Sequence, residues 1–408
     1  MCDSLISITS AYRKDCTGSG GEFSDRAADW LRAALAIEAE TLPGKSRDAA
    51  AADAVARVAA RAVGDSELRR YARLEWNRDV RTPFEALYLF AAHVEHAGAL
   101  ELADAIVALV PSAFVLPVQD VGRFTALRGR ISRKRGLNDF ARDQYLATWR
   151  MGVTTRSDEL RARAALGLGT LAQRSGNYPE MVRFARRAAR FAARAQLRFV
   201  EHEAHRGQMT EAAKRGDFGG AIVEAWRALE CAGGDPALEA VDRQSLGQLL
   251  LEVGDHAGAR KLLIDVLRRG PRPQVTLAAL GSLAVTAANT RDDRLLEWVF
   301  GQVDRLRGAR LPLYELASTL LECAQAASIR GWIPAAASYR DDSLRIALDN
   351  QFHEFAIKAE SLALVAPPPA AVATVTLGTP ARKVIRRVAA LKPSPLPRRL
   401  SIGAATSR

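Results

Sequence analysis

The sequence is poor in the residues that fix small-domain chemistry. Its 408 residues hold four cysteines, Cys2, Cys16, Cys231 and Cys323, with no CxxC or finger-like spacing between them. This excludes a disulfide framework and a zinc-finger site, and it predicts a reducing, cytoplasmic setting. Aromatic residues make up only 6% against 48% hydrophobic residues overall, so the core has to be built from Ala, Leu and Val. No apolar run approaches the roughly 18 residues of a membrane-spanning helix, and the start, Met1-Cys2-Asp3-Ser4, lacks a secretory core, so a soluble protein is expected. Acidic residues are absent after Glu360.

Catalytic patterns are equally sparse. Gly44-Lys45-Ser46 has the end of a phosphate-binding loop, but Ala39 stands where its first glycine is required. His202-Glu203-Ala204-His205 spaces its histidines at three, not at the four of a zinc-protease helix, and His93 and His96 share that spacing. No GxSxG elbow or Cys/His pairing is present. The expectation is a binding protein without enzymatic activity, metal or cofactor.

The sequence does contain a repeat. Leu168-Gly169, Ala172, Gly176-Asn177-Tyr178, Met181, Ala185 and Ala188 recur at identical offsets as Leu246-Gly247, Leu250, Gly254-Asp255-His256, Ala259, Leu263 and Val266. A third copy turns at Gly216-Asp217-Phe218 and continues through Ala221, Ala225 and Ala228. Weaker copies turn at Gly98, Gly136 and Gly331, and the unit opening at Leu280-Gly281 places its turn near Asn289 to Asp292 without a glycine. From Gly98 to Gly254 the turn glycines are spaced by 38, 40, 40 and 38 residues. Gly64 is a further candidate turn. Apolar positions three, four and seven apart give each helix one adhesive face, and a glycine at the turn supplies the positive φ that ends the first helix.

This pattern resembles the tetratricopeptide repeat, with Leu-Gly, a Gly-Asp/Asn-Tyr-like turn, then Ala and Pro in order. The period differs from the usual 34 residues of that family, and the early Trp is missing from most units. The resemblance implies an all-α, right-handed superhelical solenoid of antiparallel helix pairs with a period of about 38–40, stacked because no pair buries its face alone. The organisation expected is a flexible leader over 1–23, a repeat domain over 24–365 opened by an N-terminal capping helix, and a disordered, basic, proline-rich tail over 366–408. Within that tail, Ala381 to Lys392 has the period of a short basic amphipathic helix that forms on meeting an acidic surface.

Charge is unevenly placed. The net +12 conceals a block from Arg123 to Arg198 with eighteen cations against five carboxylates, and a tail with eight cations and no carboxylate. In the family that the repeat resembles, the first helix of each pair lines a concave groove. Carrying its groove positions back from Gly136, Gly176 and Gly216 selects Arg123, Arg130, Arg133, Lys134, Arg163, Gln173, Arg174, Arg206 and Lys214 as ligand-binding candidates. Guanidinium groups so placed suit a carboxylate-rich partner, so the resemblance implies a scaffold, adaptor or sensor gripping an acidic peptide or protein segment. The alternative is nucleic-acid binding by the central block and the tail. Arg183, Arg186, Arg187, Arg190 and Arg194 follow Gly176 on the second helix and are expected to face outward into solvent.

Overall fold

The computed structural model describes residues 83–96, 100–113, 116–307, 311–364, 376–397 and Leu400. The expected leader, the capping helix and the turn glycines Gly64 and Gly98 lie outside the described residues. Among those described there are sixteen α-helices and no strand. The chain divides into two units between Gln208 and Met209.

The first unit contains α1 (Pro83–His96), α2 (Leu100–Ala113), α3 (Val118–Lys134), α4 (Asn138–Thr154), α5 (Asp158–Arg174), α6 (Tyr178–Ala195) and the start of α7 (Arg198–Lys214). First helices α1, α3 and α5 pack side by side in one layer, and α2 and α4 wedge between successive members. The second unit continues with α8 (Phe218–Cys231), α9 (Pro236–Glu252), α10 (His256–Arg268), α11 (Pro273–Asn289), α12 (Asp293–Leu306), α13 (Leu313–Ile329), α14 (Ile333–Asp349), α15 (His353–Ser361) and α16 (Thr379–Ala389). Here α9, α11, α13 and α15 form the first-helix layer.

Five of the described helix pairs are closed by the same device. Gly136, Gly176, Gly216, Gly254 and Gly331 have φ of 83°, 74°, 77°, 80° and 73°. The following N–H then reaches back to close the helix end, as Asn177 does to the Ala172 carbonyl at 2.8 Å and Asp217 to Ala212 at 2.9 Å. Where Asn or Asp follows the glycine, it caps the next helix, whereas Leu137 and Trp332 after Gly136 and Gly331 give no side-chain cap. The capping side chain accepts from an N–H three residues on, at 3.2 Å for Asn177, 2.8 Å for Asp217, 3.0 Å for Asp255 and 3.0 Å for Asp292. The turn expected without a glycine falls at Arg291, which adopts φ 54° itself.

Small residues let the pairs approach. A Cβ on Gly169 would sit 3.3 Å from the Cβ of Phe184 and 3.5 Å from the Met181 carbonyl. Gly247 faces Leu263 in the same way, at 3.0 Å. The second helices complete these contacts with alanine: Ala185, Ala188 and Ala192 on α6, and Ala221, Ala225 and Ala228 on α8, are all buried. Helix α11 is apolar on nearly every side and is buried accordingly.

Gly281, the counterpart of Gly169 and Gly247, plays a different part. It makes room for a carboxylate: a Cβ there would lie 2.3 Å from Oε2 of Glu322 on α13, which also accepts from the Ser282 hydroxyl at 3.4 Å. Burial, reinforced by the charge of Glu252 and opposed by Ser282 and Lys358, pushes Glu322 up to about 7.

The structure also corrects the expectation of a disordered tail over 376–397. Helix α16 packs across α8 and α10, burying Ala381, Val384 and Val388. Arg387 pairs with Glu230 at 2.9 Å while its guanidinium lies 5.5 Å from the Trp226 ring centre, and Lys261 donates to the Ala389 carbonyl at the helix end. The apolar face read as waiting for an external surface is satisfied by the protein's own second helices.

Two outcomes follow. Nothing lies within 4 Å of the position a Cβ would take on Gly176, so Gly176→Ala tests φ alone and should cost about 1 kcal/mol in denaturant unfolding; no loss would contradict the turn assignment. A carboxyl raised in the folded state is favourable while protonated, and that contribution is lost as pH rises from its unfolded value of 4.5 through about 7. Glu322→Gln should therefore melt above the wild type at pH 8 and together with it at pH 4.5; a pH-independent difference would rule out the buried carboxyl as its cause.

Candidate functional site

The first-helix layer of the first unit carries most of the predicted groove residues, and the structure separates them into two groups. Arg123 and Arg163 are buried. Arg123 on α3 donates through Nε and Nη2 to both oxygens of Glu159 on α5, at 2.9 and 2.7 Å, and its Nη1 reaches Asp120 at 2.8 Å and Glu85 of α1 at 3.5 Å. Arg163 donates to Glu159 Oε1 at 3.1 Å and to the Tyr88 hydroxyl of α1 at 2.9 Å. Three first helices are thus tied by a shared ionic network. Burial raises the Glu159 carboxyl, but Arg163 and Arg123 outweigh it and bring the group down to about 2. These two arginines hold helices together, and a ligand carboxylate reaching them would have to displace a buried, bidentate one.

The second group gathers where α3 and α5 end. Arg130 and Lys134 meet the buried Glu95 of α1 at 3.0 and 2.7 Å. Arg174, exposed at the end of α5, donates to the Arg133 carbonyl at 2.8 Å. Neighbouring Arg135 and Arg128 both reach Asp104 of α2, at 2.7 and 3.6 Å. Cations in a last helical turn are favoured by the helix dipole, which explains the bias of α3 toward Arg133 and Lys134 at this end. Gln173 is half-buried beside Arg174 in sequence.

Tyr145 couples this edge to the layer behind. It rises from α4 into the seam between α3 and α5, where a Cβ on Gly129 or Gly167 would meet its ring at 2.9 or 2.3 Å. Burial raises the phenol, while the charge of Arg133 and a hydrogen bond to it act in the opposite direction. Tyr145 lies outside the groove positions that the repeat offsets select. Glu85, Glu95 and Glu159 were missed as well.

Arg206, on α7, is half-buried beside Glu203, whose carboxyl burial raises but which the His202 ring and the Arg206 and Arg130 charges hold below its usual range. His202 also stacks on Phe199, with centroids 6.4 Å apart, and His205 stands 3.9 Å from Glu201. Lys214 is exposed at the end of α7 and belongs to the second unit. The side chains of His93 and His96 lie outside the described residues.

No protein-family model and no curated protein matches the sequence. Among solved structures, a signal transduction ATPase with numerous domains (STAND) protein with a tetratricopeptide repeat sensor from Pyrococcus horikoshii is similar, with a TM-score of 0.56 at 12% identity. The match covers 80% of this chain and 54% of that one, so this chain corresponds to about half of that protein's length. At this identity the likeness is one of fold, a tetratricopeptide-like helical repeat.

A carboxylate depressed in the folded state contributes stability that is present above its unfolded value of 4.5 and lost as pH falls toward about 2. Acid titration followed by circular dichroism should show stability declining across that window, and Glu159→Gln should remove this part of the decline. At pH 7 the same variant should lose about 3 kcal/mol or more, because Arg123 and Arg163 remain buried without their shared partner. A variant as stable as the wild type at pH 7 would show that the network does not hold the layer together.

Proposed function

We propose that this tetratricopeptide-like repeat protein is a non-catalytic interaction scaffold whose first unit receives an acidic peptide or protein segment at the basic edge formed by Arg130, Arg133, Lys134, Gln173 and Arg174. The observation that carries this reading is the state of Arg133. Its Nε–H is buried with no acceptor among the described residues, its side chain also bonds Tyr145, and its carbonyl accepts from Arg174. An incoming carboxylate meets Lys134 and Arg174, both exposed, and is drawn by the charge of the adjacent Arg133. The amide of Gln173 adds a group suited to an extended backbone.

The inner pair, Arg123 and Arg163, has a supporting role in this reading: by tying α1, α3 and α5 together it fixes the spacing of the helix ends that present the edge. Pre-organisation of this kind raises affinity by removing the cost of ordering the site on binding. The tetratricopeptide repeat sensor of the similar STAND protein supports an interaction role for such a repeat array.

Fluorescence anisotropy with a labelled oligoglutamate peptide tests the assignment. Replacing Lys134 and Arg174 together by Ala should weaken binding by about tenfold or more, since each charge-assisted hydrogen bond contributes roughly 1.5–3 kcal/mol. Replacing Arg186, Arg190 and Arg194 on α6 by Gln should leave it unchanged. Equal losses from the two variants, or none from the first, would overturn the reading.

A further inference from the structure

The cations of the first-helix layer are largely answered by carboxylates, whereas those of α6 are not. Arg183, Arg186, Arg187, Arg190 and Arg194 fall at intervals of three, one, three and four residues, on the side of the helix opposite the buried Met181, Ala185, Ala188 and Ala192. Arg183 pairs with Glu180 at 3.2 Å. The other four have no carboxylate partner among the described residues, and Arg186, Arg190 and Arg194 are exposed. At 1.5 Å per residue the stripe runs for about 17 Å along the helix.

Aromatic rings hold three of these guanidinium groups, two of them, Arg187 and Arg194, without a carboxylate beside them. Arg183 and Arg187 lie 5.6 and 6.0 Å from the centre of the Phe184 ring. Arg194 and Arg161 lie 6.0 and 5.6 Å from that of Phe191, which is itself braced edge-on by Trp149. Stacking orients a guanidinium through its face and leaves its N–H edge directed outward, the arrangement that binds phosphate oxygens in pairs. No large hydrophobic side chain of α6 is exposed. The stripe therefore lacks the apolar face that inserts into a membrane and the buried aromatic anchor that dominates most protein interfaces. A partner that needs only regularly placed charge remains, and nucleic acid presents one in its phosphate backbone.

We propose that the outer face of α6 is a sequence-independent contact for the phosphate backbone of nucleic acid, separate from the peptide edge on α3 and α5. Arg186, Arg190 and Arg194 are the principal phosphate ligands, and Phe184 and Phe191 keep the flanking guanidinium groups in place.

Anisotropy titrations of the full chain with a fluorescent oligodeoxythymidine and with a mixed-sequence duplex, each over a range of salt, test the proposal. The wild type should bind both, with affinity falling steeply as salt rises. For the duplex, Arg186→Gln, Arg190→Gln and Arg194→Gln together should weaken binding at least tenfold and make the slope of log K against log salt shallower by about 2 to 3. The three positions are exposed, so helix content should be unchanged; the corresponding triple Lys variant, which keeps the charge, should retain most of the slope. Lys134→Ala with Arg174→Ala should leave nucleic-acid binding intact, which separates this test from that of the peptide edge. Binding unaffected by the Gln variant, absence of binding to either nucleic acid, equal α6-dependent capture of oligoglutamate, or α6-dependent binding only to anionic lipid vesicles would each overturn the proposal.

Discussion

The described helix pairs from α3 to α14 depend on reversing the chain within two residues while leaving few backbone groups unpaired. A residue at positive φ ends the first helix and turns the chain, and in four of the pairs the side chain after it caps the second. The two functions occupy adjacent positions, which is why glycine followed by Asp or Asn recurs. The economy of the turn sets the close spacing of the helices, and that spacing in turn demands Ala and Gly where they cross. Arg291 shows that the requirement is conformational: the chain accepts the cost of a side chain in the left-handed region, about 1 kcal/mol, when the surrounding helices fix the turn.

Charge in the first unit does two kinds of work, and burial separates them. Within the first-helix layer, Glu159 and Glu95 neutralise arginines that would otherwise repel across the seam, and the same pairs fix the register of three helices. Outside it, α6 carries arginines with rings beneath them and few carboxylates beside them. A count of net charge cannot distinguish these settings.

The repeat, its turns and the all-helical fold were legible in the sequence because each rests on local offsets, including the turn at Arg291 that has no glycine to mark it. The site was legible only in part. Offsets from Gly136 and Gly176 found the right face for Arg123 and Arg163, but they could not show that Glu159, at the opposite end of α5 from its turn, would claim both. Pairing across 36 residues has no signature in one sequence. The tail helix failed for the same reason: the spacing of Ala381, Val384 and Val388 revealed an apolar face, while its partners on α8 and α10 lie more than a hundred residues earlier. Tyr145 could have been anticipated from Gly129 and Gly167, whose missing side chains make the slot for its ring.

The alanine interior of α6 and α8 has a consequence for mutational mapping. In most proteins the core reveals itself when large side chains are trimmed and cavities open. Ala188, Ala192, Ala221 and Ala225, each fully enclosed, have almost nothing to trim, so an alanine scan is blind to them. Their importance emerges in the opposite direction, when a methylene is added and neighbouring backbones are forced apart. A scan with Val or Leu, positions ranked by the loss each enlargement causes, would trace the helix crossings that conventional truncation leaves invisible.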